Sequence, residues 1–91
     1  MKYEILSTGR FKKDLKTIIK RGYNVQLLKD VVGLLVAGIP LPEKNKDHVL
    51  TGNWTGHKEC HIAPDWLLIY KIDNDVLILT LIRTGTHSDL F

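Results

Sequence analysis

Cysteine is almost missing from this chain: Cys60 stands alone among 91 residues. A lone cysteine excludes an internal disulfide and fits a reducing compartment. Long apolar runs are missing as well. Nothing approaches the roughly 20 consecutive apolar residues that cross a bilayer as a helix, so no membrane partner is expected. The opening residues set Glu4 close behind Lys2 and a charged run from Arg10, without the apolar stretch of a secretion signal. The sequence also has no internal repeat, no low-complexity stretch and no interdomain linker. At 91 residues and 10.4 kDa it has room for one domain, residues 1–91, with a modest core. Hydrophobic residues at 44% beside charged residues at 25% argue for a folded domain over a disordered tail. A small, soluble, cytoplasmic domain is the expectation.

What is present is unevenly placed. Residues 1–21 carry Lys2, Arg10, Lys12, Lys13, Lys16, Lys20 and Arg21 against only Glu4 and Asp14, whereas the rest of the chain is slightly acidic. A basic end attracts RNA, DNA or an acidic protein, because each neutralised phosphate releases counterions. The same lysines also suit the solvated face of a helix.

Lys2–Leu6 reads as a short strand, with Tyr3 and Ile5 alternating against charged neighbours. Ser7 or Thr8 then caps a helix whose stripe is Phe11, Leu15, Ile18 and Ile19, with the lysines largely off it. Gly22 ends this helix and Asn24 caps the next, over residues 25–37, which is apolar around a wide arc and stopped by Gly38. Pro40 and Pro42 impose an extended loop through Asp47. Period two follows. Gly56–Ile62 predicts a strand with His57, Glu59 and His61 on one face and Lys58, Cys60 and Ile62 on the other. Pro64-Asp65 breaks it, Trp66–Ile72 is its partner, and Asp73-Asn74-Asp75 turns into Val76–Thr84, apolar on both faces as a central strand should be. The order predicts an α+β domain, a small antiparallel sheet with two N-terminal helices packed on one side.

Four histidines, His48, His57, His61 and His87, all lie in the second half. Histidine titrates near neutrality, which suits acid–base work or metal binding. On one strand, His57 and His61 share a face but stand about 13 Å apart, with Cys60 on the opposite face, too far to hold one zinc ion together. No metal and no cofactor are expected. Acid–base chemistry fits better. Cleaving RNA requires the ribose 2′-hydroxyl to lose a proton, the 5′-oxygen to gain one, and charge on the phosphoryl oxygens to be met by a cation. His48, His61 and His87 with Glu59, Asp65 and Arg83 supply each group. Each histidine taken singly is equally at home as a hydrogen-bonded surface residue.

Three strings then stand in order: Lys46-Asp47-His48, Leu50-Thr51-Gly52-Asn53-Trp54, and Glu59-Cys60-His61-Ile62-Ala63-Pro64-Asp65-Trp66-Leu67-Leu68-Ile69-Tyr70. With the ending Arg83-Thr84-Gly85-Thr86-His87-Ser88-Asp89-Leu90-Phe91, they resemble the YafQ branch of the RelE/ParE toxin superfamily over essentially the whole chain. The resemblance implies a compact antiparallel sheet flanked by two N-terminal helices. It implies a ribosome-dependent mRNA endonuclease, the toxin of a type II toxin–antitoxin pair, with the ribosome, mRNA and a cognate antitoxin as partners. By the same resemblance His48, His61, Asp65 and His87 are catalytic, Phe91 closes the site and stacks on a base, and Arg83 faces the scissile phosphate. Glu59 stands where an aspartate is found in the family. His57 stands where an aromatic residue is common, and no role is carried onto it.

On this reading Lys12, Lys13, Lys16 and Lys20 contact ribosomal RNA. Trp54 and Trp66 are packing residues, and Ser88 is a polar tail residue, since RNA brings its own nucleophile. Two rival classes are a ParE-like inhibitor of DNA gyrase and an inactive antitoxin-binding module. Neither needs three histidines around a phosphate pocket.

Overall fold

The computed structural model describes residues 2–91. The elements run β1 (Glu4–Ser7), α1 (Gly9–Lys20), α2 (Val25–Ala37), β2 (His48–Val49), β3 (Lys58–Ala63), β4 (Trp66–Asp73), β5 (Ile78–Gly85) and α3 (His87–Leu90). The helices begin and end where local chemistry requires. Thr8 caps α1 by accepting from the Phe11 N–H at 2.9 Å, and Asn24 caps α2 through the Gln26 N–H at 3.1 Å. Each cap satisfies a donor the helix leaves open and stabilises it by about 1 kcal/mol. Gly38 ends α2 in the left-handed region, at φ 73°.

The strands form one five-stranded sheet in the order β1-β5-β4-β3-β2. Three of its pairings are antiparallel, as expected. The fourth is not: β1 lies parallel to β5, with Glu4 opposite Ile78 and Ser7 opposite Leu81. A parallel pair needs a long crossover, and here the whole chain between β1 and β5 supplies it. The strand expected at Lys2–Leu6 sits further along, and its alternation fails: Tyr3 is buried just before it, while Ile5 and Leu6 stay 42% and 46% exposed on a sheet edge.

The β4–β5 turn is longer than predicted. The Asp73 carboxylate accepts from the Asp75 N–H at 3.0 Å, and Leu77 takes φ 55°, so Val76 and Leu77 belong to the turn and β5 starts at Ile78. β3 likewise starts at Lys58, which leaves His57 outside it.

Both faces of the sheet are used. On one, Phe11 and Ile18 of α1 and Leu28, Val31, Leu35 and Val36 of α2 pack on Trp66, Leu68, Tyr70, Leu79 and Leu81. On the other, Leu67, Ile69 and Leu90 form a smaller cluster with Leu50, Trp54 and Ile82 against it. This explains why Trp66 to Tyr70 are buried without alternation. Leu90 is the anchor of α3, and its burial contributes about 2 kcal/mol toward holding that short helix on the sheet. The candidate site lies on this second face, away from α1 and α2.

Candidate active site

Sheet register assembles the site. β2 pairs His48 with Glu59, β3 pairs Glu59 with Ile69 and His61 with Leu67, and β4 pairs Leu67 with Gly85. Residues directly opposite in a sheet share a face, so Glu59 and His61 stand on the side of Leu67 and Ile69. Cys60, between them, turns into the helix-side core and is fully buried. Burial pushes its thiol up to about 12, aided by Asp47 and Glu59, so it stays a neutral packing group and is no nucleophile.

Two imidazole–carboxylate pairs flank His61. In the first, His48 Nε2 lies 3.4 Å from Glu59 Oε1, and His48 Nδ1 lies 2.7 Å from the Lys46 carbonyl. The Glu59 side chain is only 6% exposed, and its Oε2 has no partner. A buried carboxylate oxygen without a donor is costly. In the second pair, His87 Nδ1 lies 3.2 Å from Asp65 Oδ1, and the His87 backbone N–H donates to the same oxygen at 3.3 Å. Those two contacts, the side chain's first, hold the Asp65 carboxyl below the usual carboxylate range. With Nδ1 turned to Asp65, the other ring nitrogen of His87 is the one that can meet a substrate.

The His61 and His87 rings have centroids 6.0 Å apart. Phe91 stands 6.4 Å from His87 and 6.5 Å from Trp54 and is 61% exposed, so it is not a core plug. Trp54 packs on the small cluster and meets His57 edge-on at 5.4 Å. Trp66 is buried and donates to Thr84 Oγ1 at 2.8 Å. Ser88 is exposed.

Arg83 stands on β5, opposite Ile69 in the register. Its guanidinium donates to both Asp14 oxygens, at 3.0 and 2.9 Å, in the seam between α1 and β5. Asp14 also accepts the Thr84 N–H at 3.2 Å, where β1 has ended and β5 has no strand neighbour on that side. Asp14 thus orients the Arg83 guanidinium. Lys12, Lys13, Lys16 and Lys20 are exposed on α1, while Phe11 and Ile18 face the sheet.

The sequence reading did not foresee the helix that carries His87. α3 is one turn long and shows no periodicity, yet its start is written in the sequence. Thr86 and Asp89 form a reciprocal capping box, Thr86 Oγ1 accepting from the Asp89 N–H and Asp89 Oδ2 from the Thr86 N–H. The short strand β2 and the part played by Arg21 were also missed.

A mixed sheet with two helices on one face and an imidazole–carboxylate cluster on the other defines a small α+β domain with a candidate acid–base site. The family model described as "Bacterial toxin of type II toxin-antitoxin system, YafQ" matches residues 3–91. The mRNA interferase toxin YafQ of Escherichia coli strain K12 is 42% identical over 89 residues, covering 97% of this chain and 95% of that one. A toxin of the same name, described as putative, from Haemophilus influenzae is 36% identical over 84 residues, 87% of this chain and 82% of that one. Among solved structures, a chain of the E. coli DinJ-YafQ toxin-antitoxin complex matches with a TM-score of 0.91 and 40% identity, covering 100% of this chain and 99% of that one. A metal-bound toxin from Helicobacter pylori matches with a TM-score of 0.92 and 44% identity, covering 98% and 99%. The chain belongs to the YafQ family of bacterial toxins of type II toxin–antitoxin systems.

Proposed function

We propose that this chain is an mRNA interferase, a ribosome-dependent endoribonuclease that acts in the cytoplasm and is held in check by a cognate antitoxin. The observation that carries this reading is the pair of imidazole–carboxylate couples, His48–Glu59 and His87–Asp65, on one sheet face with His61 between them. The membership in the toxin family and the similarity to the E. coli mRNA interferase support it. The similarity to the DinJ–YafQ complex supports an antitoxin partner. Among the described residues no helix is long and apolar enough to cross a membrane.

RNA cleavage by its own ribose moves two protons. The 2′-oxygen attacks the phosphorus as its proton leaves, and the bond to the 5′-oxygen breaks as that oxygen gains a proton. A 2′,3′-cyclic phosphate and a 5′-hydroxyl result. One imidazole couple accepts the first proton and the other supplies the second. Asp65 orients His87. Glu59 orients His48 in the same way. His61, between the couples, meets the phosphoryl oxygens. Phe91, exposed at the rim beside His87, stacks on a base. Arg83 supports β5 through Asp14. Lys12, Lys13, Lys16 and Lys20 meet ribosomal RNA on the α1 side, an interaction that weakens as salt rises.

The test is induced expression of the wild-type chain and of His87→Ala, with growth followed together with primer extension on a translated reporter message. Growth arrest with cuts in the message, reduced about 10²–10⁴-fold in the variant, is expected. Arrest with an intact message, equal in both, overturns the reading and turns attention to a gyrase-type target.

A further inference from the structure

We propose that the groove beside His61 is the seat of the nucleotide next to the scissile phosphate, with its phosphate on Lys44 and Lys46 and its base against Ala63 and Pro64. This rests on the endoribonuclease reading and extends the site by one subsite.

β2 covers β3 only at Lys58 and Glu59, so the edge of β3 is open beyond that point. The segment Lys44–Lys46 stands along this open edge, and the space between holds about 360 Å³, lined by Lys44, Lys46, His61, Ala63 and Pro64 over a floor that includes Asn45. That volume falls within the roughly 300–1,000 Å³ of small-molecule sites. His61 belongs both to the groove and to the imidazole cluster, so an RNA strand leaving the cluster along the sheet edge enters this space first.

The backbone that bears the two lysines is held in place. Asn45 is buried and donates from Nδ2 to the His61 carbonyl at 2.7 Å. Lys46 lies in the left-handed region at φ 46°, and its carbonyl is 2.7 Å from His48 Nδ1. The segment bearing both cations is therefore pinned at the two histidines whose chemistry it would serve.

The charges are also uncommitted. Asp47, the next acid along the loop, is engaged by Lys58 at 3.0 Å and by the Tyr70 hydroxyl. Lys44 and Lys46 form no ion pair among the described residues. Two free cations beside an apolar wall, opening onto the reacting centre, match a nucleotide, which carries one phosphate and one flat base. An acidic protein segment offers negative charge alone and has no need of His61.

The experiment uses the full chain and its Lys44→Gln/Lys46→Gln double variant on ribosomes programmed with a defined message. KM is expected to rise about tenfold with kcat within about twofold. The salt dependence of kcat/KM should become shallower by about one unit of log–log slope, as loss of one or two single-strand phosphate contacts requires. The wild type runs alongside. If it fails to cut the message, the nuclease reading fails with it. If the wild type cuts and the double variant keeps the same KM and salt slope, the groove assignment alone is overturned. Weakened binding of the cognate antitoxin with an unchanged KM for message also overturns it and gives the groove to a protein partner.

Discussion

Arg21 and Asp89, 68 residues apart in the chain, form a two-pronged ion pair of 2.6 and 3.1 Å that ties the end of α1 to α3. Asp89 does two things at once. It receives Arg21, and it accepts the Thr86 N–H at 2.9 Å, which closes the capping box that starts α3 at His87. Gly85 makes room for it: a Cβ there would stand 2.9 Å from the Asp89 side chain. The helix carrying His87 and followed by Phe91 is therefore aimed from α1.

Arg21→Gln tests that relationship. The pair is partly exposed, so global stability should hardly move, with a melting shift of no more than about 2 °C. Cleavage should fall about tenfold in kcat with KM within about twofold, because a misaimed group loses rate before it loses binding. Hydrogen exchange at the Leu90 and Phe91 amides should speed up while β4 stays protected. Arg21→Lys should recover part of the rate. A variant with unchanged kcat would show that α3 is aimed without α1.

Acid should loosen the same tail. Arg21, then the Thr86 backbone N–H, holds the Asp89 carboxyl well below the usual carboxylate range. A depressed native pKa means the contribution is complete above the unfolded value of about 3.9 and fades as pH falls below it. NMR signals of Leu90 and Phe91 should report loosening between about pH 4 and pH 2 while β4 stays folded. In Asp89→Asn the tail should be loose already at neutral pH. Asp65, exposed and lowered by His87, moves in the same direction, so Asp65→Asn is the control that separates the two.

Asp14 and Arg83 have side chains only 13% and 15% exposed, which makes theirs the best protected ion pair between α1 and the sheet. Asp14→Asn should cost about 2–3 kcal/mol in urea unfolding, since it leaves a guanidinium without its partner. Arg83→Ala should cost a similar amount, with cleavage by the folded protein reduced far less than in His87→Ala. If Arg83→Ala instead matched His87→Ala in activity and kept full stability, the guanidinium would belong at the phosphate.

Glu59 is predicted to matter for rate and not for stability. Glu59→Gln keeps the shape of the buried side chain and removes its charge, so folding stability should hold or rise. Its amide cannot take up a proton beside His48, and cleavage should fall about 10²-fold. An active Glu59→Gln would leave the His87–Asp65 couple to serve both proton transfers.

The parts of this molecule that were legible in advance are those fixed within a few residues. Thr8, Asn24 and Gly38 mark helix ends because capping and left-handed turns are satisfied locally. The Pro64-Asp65 turn and the alternation through Cys60 and His61 are equally local. Even the capping box of α3 is local, made by Thr86 and Asp89 alone. Val76 and Leu77 misled because apolar character suggests a strand, whereas the Asp73 carboxylate and a left-handed Leu77 make them a turn.

The sequence by itself determined the two helices, their caps and most of the strands. Tertiary structure alone decided that β1 runs parallel to β5, that Asp14 takes Arg83 from 69 residues away, and that Arg21 aims the helix bearing His87. The division has one physical cause. Torsional preference, capping and turn chemistry act between near neighbours, whereas strand partners and ion-pair partners are chosen by proximity in space, which exists only once the core has closed.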